Sequence, residues 1–364
     1  MPNTGNRSVV SDPEKHSSGS IKHYRKVRLT APCERSITCR VRPHETGMEV
    51  IRFLSGRFPF RSPETWTSRL RSGWITQGSH TLHPGDPLRP SPALTIYHPR
   101  FIEPAVPDEV EILEVRDEYL LAFKPAPMPM HPGGRYNRNT LIEIIKDQPL
   151  SSGHYNSQSD SAQTGLHILH RLDAVTSGLV LLGRNPGFSR TVQRAFEQNR
   201  VEKHYLALVA GTPVQDRITI DRPIRRKRGY LFECTLKGKA SVSTFEVLKR
   251  MGKNALVLCR PITGRTHQIR LHLREWGHPV IDDPVYGPVT NKSAPVLTVS
   301  EPTGTLPDGY SLPMQNSGIS LLHYRLKLPG MGYDFRLFDN PLSNKSFDYL
   351  ARSSGNPALI ESNV

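Results

Sequence analysis

The sequence predicts an α+β fold with a largely antiparallel sheet, because its strand-like runs come in pairs around short turns and its helical windows are few. Runs 110–115 and 119–123 flank Asp117-Glu118, and runs 241–249 and 255–260 flank Met251-Gly252-Lys253-Asn254. Both pairs carry the signature of a hairpin. Only three windows space apolar residues as a helix does, and no internal repeat is present.

A chain of 364 residues, 36% of them hydrophobic, can bury a substantial core and hold one large domain beside a small one. Residues 1–35 are rich in Ser, Asn, Lys and Arg without periodicity and are expected to form a flexible basic tail, with Lys22, Arg25, Lys26 and Arg28 able to graze phosphates. Residues 36–103 form a small module. Its Ser62-Pro63 pair starts a helix over 63–72, since Ser caps and Pro suits the first helical position. Trp66 and Leu70, four apart, share that helix's buried face; a strand at 74–76 and the turn Pro84-Gly85-Asp86 follow. A Pro-rich connector over 101–107 leads to the main domain, 108–345.

In that domain, 178–182 is a buried strand, and Phe188, Val192, Ala195 and Phe196 lie on one face of a helix. Run 205–209 is again strand-like. Ile269, Leu273 and Trp276 mark a short amphipathic helix after the Gly264 turn. The basic run Arg222, Arg225, Arg226, Lys227 and Arg228 reads as a Pro/Gly-flanked loop, solvated surface or a phosphate clamp. Residues 287–317, full of Pro, Gly, Ser and Thr, read as a long loop, and 346–364 as a flexible tail.

Lys plus Arg exceed Asp plus Glu by 48 to 33, a formal +15. Such an excess suits a polyanionic partner, because cations that neutralise phosphates release condensed counterions; it also serves plain solubility. No run of about 18 apolar residues argues for a membrane span, and the first 30 residues lack a secretory signal. Cys33, Cys39, Cys234 and Cys259 form no C-x-x-C pair, which argues against a zinc ribbon and a disulfide framework and for a reducing, cytoplasmic setting. His167, His170, His267 and His272 have neither zincin nor zinc-finger spacing, so no metal is expected.

Four stretches stand in order: Lys124-Pro125 through His131-Pro132-Gly133-Gly134-Arg135-Tyr136, His170-Arg171-Leu172-Asp173-Ala174-Val175-Thr176-Ser177-Gly178, Lys203-His204-Tyr205, and Thr263-Gly264-Arg265-Thr266-His267-Gln268-Ile269-Arg270. Read alone, Asp173 could simply bond backbone N–H groups of its own turn. Together the stretches resemble the RluA-type family of RNA pseudouridine synthases, over residues 108 to 340. The resemblance implies a pseudouridine-synthase catalytic domain with a mostly antiparallel mixed sheet flanked by helices and loops. It implies cofactor-free isomerisation of uridine in large-subunit ribosomal RNA or tRNA by a monomer. Asp173 would be the catalytic carboxylate, attacking C1′ or removing the 2′ proton, and Arg270 would sit beside it and favour its ionised form. Tyr205 would stack on the base or place a proton. Arg171 would fill the gap left by the extruded nucleotide. Arg265, His267, Leu322, Arg225, Arg226 and Arg228 would touch RNA. The 36–103 module resembles an S4-type RNA-binding domain through Arg69-Leu70-Arg71-Ser72-Gly73-Trp74-Ile75, with Gln77-Gly78-Ser79 where Asn-Gly is usual. The chain also departs from the family at Phe123, where Asn is common, and at Leu328-Pro329-Gly330, without the usual His-Pro. The rival reading is a catalytically silent RNA-binding or ribosome-assembly protein on the same fold.

Overall fold

Ser62 and Pro63 do start a helix: the Ser62 hydroxyl accepts the Thr65 N–H at 3.3 Å, and the helix runs Pro63–Arg71. The computed structural model describes residues 27–28, 30–58, 61–90, 93–108, 110–148, 165–288, 318–343 and 348–350. These fall into two units, one of residues 30–104 and one of 27–28 with 105 onward.

In the smaller unit, Trp66 and Leu70 pack with Val50, Phe53 and Leu54 of a second helix, Val50–Arg57. The sheet beneath has the order Cys33–Cys39, Leu94–Phe101, Ile75–Gln77, His80–Thr81, all antiparallel. The strand Cys33–Cys39 begins inside the stretch expected to be tail, and Val27–Arg28 pairs with Val106–Pro107. Its half-buried alternation carries few large apolar residues, so composition alone hid it.

Ten strands of the described residues form the sheet of the larger unit, eight of them on one path. The order is Arg217–Asp221, Val242–Met251, Asn254–Pro261, Glu202–Ala210, Leu321–Leu328, Ser177–Gly183, Tyr119–Lys124 and Glu111–Val115. Both expected hairpins are present, with Val115 opposite Leu120 and Met251 opposite Asn254. The central strands read as unbroken apolar runs because both faces are covered. Leu120, Ala122, Val180 and Leu182 join one core with Ile144 of Leu141–Asp147 and Leu273 of Gln268–Glu275; Leu121, Phe123, Leu179 and Leu181 join another with Val192 of Pro186–Glu197. The sheet mixes directions at one seam, where Ser177 and Gly178 pair in parallel with Leu322 and His323. Gly178 is required there: its φ is +127°, and a Cβ would lie 2.2 Å from the His323 carbonyl oxygen.

Two further expectations change. The basic run is a strand, Ile224–Arg228, paired with Leu231–Cys234. Its side chains are polar on both sides, so no apolar alternation marked it. Tyr349 and Leu350, within the expected C-terminal tail, are buried in the second core. Residues 289–317 of the long loop lie outside the described residues.

Candidate active site

Asp173 precedes the strand Ser177–Gly183, and the turn is closed by backbone: the Thr176 N–H donates to the Asp173 carbonyl at 3.1 Å. The side chain is therefore not consumed by its own turn. Its Oδ2 accepts from Arg270 Nη1 at 3.2 Å and lies 3.9 Å from His267 Nε2, with 18% of the side chain exposed. Beneath the loop, the fully buried Lys124 donates from Nζ to the carbonyls of Met128 at 2.8 Å, Pro125 at 3.2 Å and Ala174 at 3.3 Å. The first sequence stretch thus holds the residue that follows the carboxylate.

Arg270 occupies the first turn of Gln268–Glu275 and is divided between two carboxylates. Nε and Nη2 form a fork on Asp283, at 2.7 and 2.8 Å, while Nη1 points to Asp173. Asp283 is fully enclosed and also accepts the Val285 and Tyr286 N–H groups at 2.9 and 3.1 Å. Burial pushes its carboxyl up, but the Arg270 hydrogen bonds and charge with those N–H groups outweigh it, so the net shift is down. Burial likewise works against the Arg270 charge and is overcome by Asp283, leaving the guanidinium more basic than usual. Sequence reasoning missed Asp283, because Asp282-Asp283-Pro284 reads as ordinary turn chemistry.

Tyr286 ties these groups together. Its ring lies 4.9 Å from the Arg270 guanidinium carbon, and its hydroxyl accepts the Phe232 N–H at 3.0 Å and meets His267 Nδ1 at 2.9 Å. His267 holds the left-handed helix cap, φ +59°. Burial lowers its pKa against the pull of Asp173, so the ring is neutral at pH 7. With the Tyr286 proton assigned to Nδ1, the imidazole proton sits on Nε2, facing Asp173.

Tyr205 lies at a bulge of Glu202–Ala210 and is 8% exposed. One ring face stacks on His323, centroids 4.5 Å apart at 24°. Burial first, then the Asp173 charge, pushes its hydroxyl pKa up, so it remains a proton donor. His323 is fully buried, donates from Nδ1 to the Leu179 carbonyl at 2.7 Å, and is kept neutral by burial, its pKa lowered to about 4.

The structure gathers Asp173, Arg270, His267 and Tyr205, but not every residue assigned to RNA. Leu322 has no exposed surface and is a core residue of the strand beside Gly178. Arg265 is exposed, its Nε donating to the Ala240 carbonyl at 3.1 Å and its backbone N–H to Gln268 Oε1 at 2.9 Å. Arg171 is exposed, without a hydrogen bond or ion pair to the described residues. Arg225 and Lys227 share Glu233, at 2.8 and 3.3 Å, while Arg226 rests 5.5 Å from the Phe232 ring centre. The histidines do not converge on one point: His170 Nε2 accepts the Leu181 N–H, and His272 bonds Ser243 and the Arg222 carbonyl.

Lys124 gives a pH prediction. Burial lowers its pKa to about 7, against the opposing pull of Asp173. Between about pH 7 and the unfolded value near 10.5, the unfolded chain binds more protons at this site than the folded one, so stability rises with pH. In urea unfolding, the advantage of wild type over Lys124→Met is expected to grow from pH 7 to pH 10. A constant or shrinking advantage contradicts a lysine that loses its proton on burial.

A family profile described as RNA pseudouridylate synthase matches residues 118–275. Human pseudouridylate synthase RPUSD2 is 32% identical over 189 residues, which is 51% of this chain and 32% of the human protein. A Synechocystis protein named an uncharacterized RNA pseudouridine synthase is 31% identical over 244 residues, 66% of this chain and 79% of that protein. The solved structure of human RNA Pseudouridylate Synthase Domain Containing 1 aligns at TM-score 0.47 and 22% identity, over 67% of this chain and 88% of that one. The chain thus spans about a third of the human RPUSD2 relative and about four fifths of the cyanobacterial one. With its motifs in order and that degree of identity, the chain belongs to the RNA pseudouridine synthase family.

Proposed function

We propose that this protein isomerises uridine to pseudouridine within folded ribosomal RNA or tRNA, with Asp173 as the catalytic carboxylate. The observation that carries this reading is a carboxylate left free by its own turn and faced by an arginine whose remaining nitrogens are locked on Asp283. The reaction breaks N1–C1′, turns the uracil over and joins C5 to C1′, after which C5 gives up its proton and N1 takes one up. A single carboxylate is enough, since the leaving base stays bound and no water needs activating, unlike hydrolytic glycosidases with their paired carboxyls. Nucleophilic attack on C1′ and removal of the 2′ proton ask for the same placement. Tyr205, protonated and half a stack, offers its hydroxyl to the detached base; Arg270 and His267 fix the carboxylate. Arg171, exposed and without a hydrogen bond or ion pair to the described residues, is available to the RNA, and the exposed Arg40, Arg42, Arg52 and Arg71 of the smaller unit support reading that unit as an RNA-holding module.

The test is direct. RNA from cells lacking this gene is incubated with the purified protein, treated with carbodiimide and read by primer extension. New stops at discrete uridines are expected; unchanged RNA, from a folded protein across ribosomal and transfer RNA, contradicts the reading.

A further inference from the structure

The two-stranded ribbon of Ile224–Arg228 and Leu231–Cys234 turns through Gly229, at φ +53°, and Tyr230. Tyr230 is 56% exposed, the one exposed Phe, Trp or Tyr among the described residues. A single exposed apolar side chain is ordinary. The surroundings of this one are not. It follows four consecutive cations, Arg225 to Arg228. Glu233 takes up Arg225 and Lys227, whereas Arg226 lies against the Phe232 ring. From a separate segment, Arg135 lies near enough to act electrostatically on the Tyr230 hydroxyl.

Just past its turn the ribbon is pinned to the catalytic groups, and its far end is closed on itself. The Phe232 N–H donates to the Tyr286 hydroxyl, the Phe232 ring meets His267 edge-on at 5.3 Å, and the Thr235 N–H donates to the Pro223 carbonyl at 2.8 Å. Tyr230 stands in the turn two residues before Phe232, at most about 7 Å from it along the chain. An aromatic face is thus held within a nucleotide's reach of the residues around Asp173, amid charge of the sign that attracts phosphate.

We propose that Tyr230 is a stacking platform for an unpaired base next to the modified uridine, with Arg226 and Arg135 on the adjoining backbone. This deepens, and rests on, the reading of RNA as substrate. Extruding a uridine unstacks its neighbours, and a rigid ring that accepts any base face offsets that loss without reading sequence. The contact belongs to binding, not to the chemical step.

The probe is a fluorescein-labelled RNA stem–loop with a pyrimidine-rich loop, titrated by anisotropy. Tyr230→Ala is expected to weaken binding about 5- to 150-fold, the range for loss of one stacked base. Tyr230→Phe is expected to bind like wild type, because the ring and not the hydroxyl makes the contact. The slope of log affinity against log salt stays unchanged in Tyr230→Ala and falls by about 0.7 in Arg226→Ala, which loses one phosphate contact on a single strand. Wild-type affinity in Tyr230→Ala overturns the proposal. So does a Tyr230→Phe variant as weak as Tyr230→Ala, a reduced salt slope in Tyr230→Ala, or no binding of the stem–loop by wild type. Because anisotropy needs no turnover, a protein that binds by this pattern yet forms no pseudouridine defeats the proposed reaction and leaves the platform standing. The turn is solvent-facing, and matching thermal midpoints show that the variants fold.

Discussion

Asp173→Asn is expected to fold, to bind RNA and to form no pseudouridine, with a rate at least about 10⁴-fold below wild type, as for loss of an essential nucleophile or base. The substitution keeps the shape of the side chain and an oxygen for Arg270 Nη1, so the 3.2 Å contact has a substitute. Lys124 still holds the Ala174 carbonyl, and the backbone turn to Thr176 does not involve the side chain. Little stability depends on a carboxylate that keeps some contact with water. What is lost is the ability to attack C1′ or to take the 2′ proton. Single-turnover conversion of RNA at saturating protein reads the chemical step, and anisotropy reads binding. An Asn variant retaining a tenth of the wild-type rate removes Asp173 from the reaction on either route.

How far the sequence led to this site depends on how local each signal was. Ser62 with Pro63, the Asp117-Glu118 turn and the spacing of Ile269 and Leu273 are readable because neighbours a few residues apart create them. The helix Leu141–Asp147 was legible too and was overlooked: Thr140 caps the Glu143 N–H, the pattern of a capping box. The Val50–Arg57 helix has no side-chain cap, so its beginning carries no mark. Other features were beyond reach for a physical reason. The parallel seam joins Gly178 to His323 across 145 positions, and nothing near Gly178 says that its missing Cβ makes room for another strand. Leu322 shows the same blindness in reverse, since the family resemblance points to an RNA contact while its burial makes it core. The motif gave Asp173 and Arg270, but not the groups that hold Arg270 still: Asp283 and Tyr286 stand in a turn with no periodicity at all.

That hidden support makes Arg270→Met the substitution with the greatest expected cost to stability. In the folded protein Asp283 has no water contact, and Arg270 is its only cationic partner among the described residues. Removing the guanidinium strands a buried carboxylate, typically worth about 3–5 kcal/mol. Its two backbone N–H partners remain, which argues for the lower end of that range. The variant should also lose activity, because the cation facing Asp173 goes with it. The pH dependence follows from the sign of the shift. In wild type the Asp283 pKa is lowered, so its contribution is fully present above the unfolded value near 4 and is lost as pH falls through the lower folded value. Without Arg270, burial is left as the dominant influence and raises that pKa, so the folded variant takes up a proton more readily than the unfolded chain. Its deficit against wild type should therefore shrink as pH falls from 7 to 5. Urea midpoints at the two pH values measure this. The double variant Arg270→Met with Asp283→Asn should recover much of the stability at pH 7 and none of the activity, since a neutral amide is far cheaper to bury than a lone charge. A single variant less than about 1 kcal/mol below wild type, or a double variant no more stable than the single, would mean that Asp283 is not the anchor that aims Arg270 at Asp173.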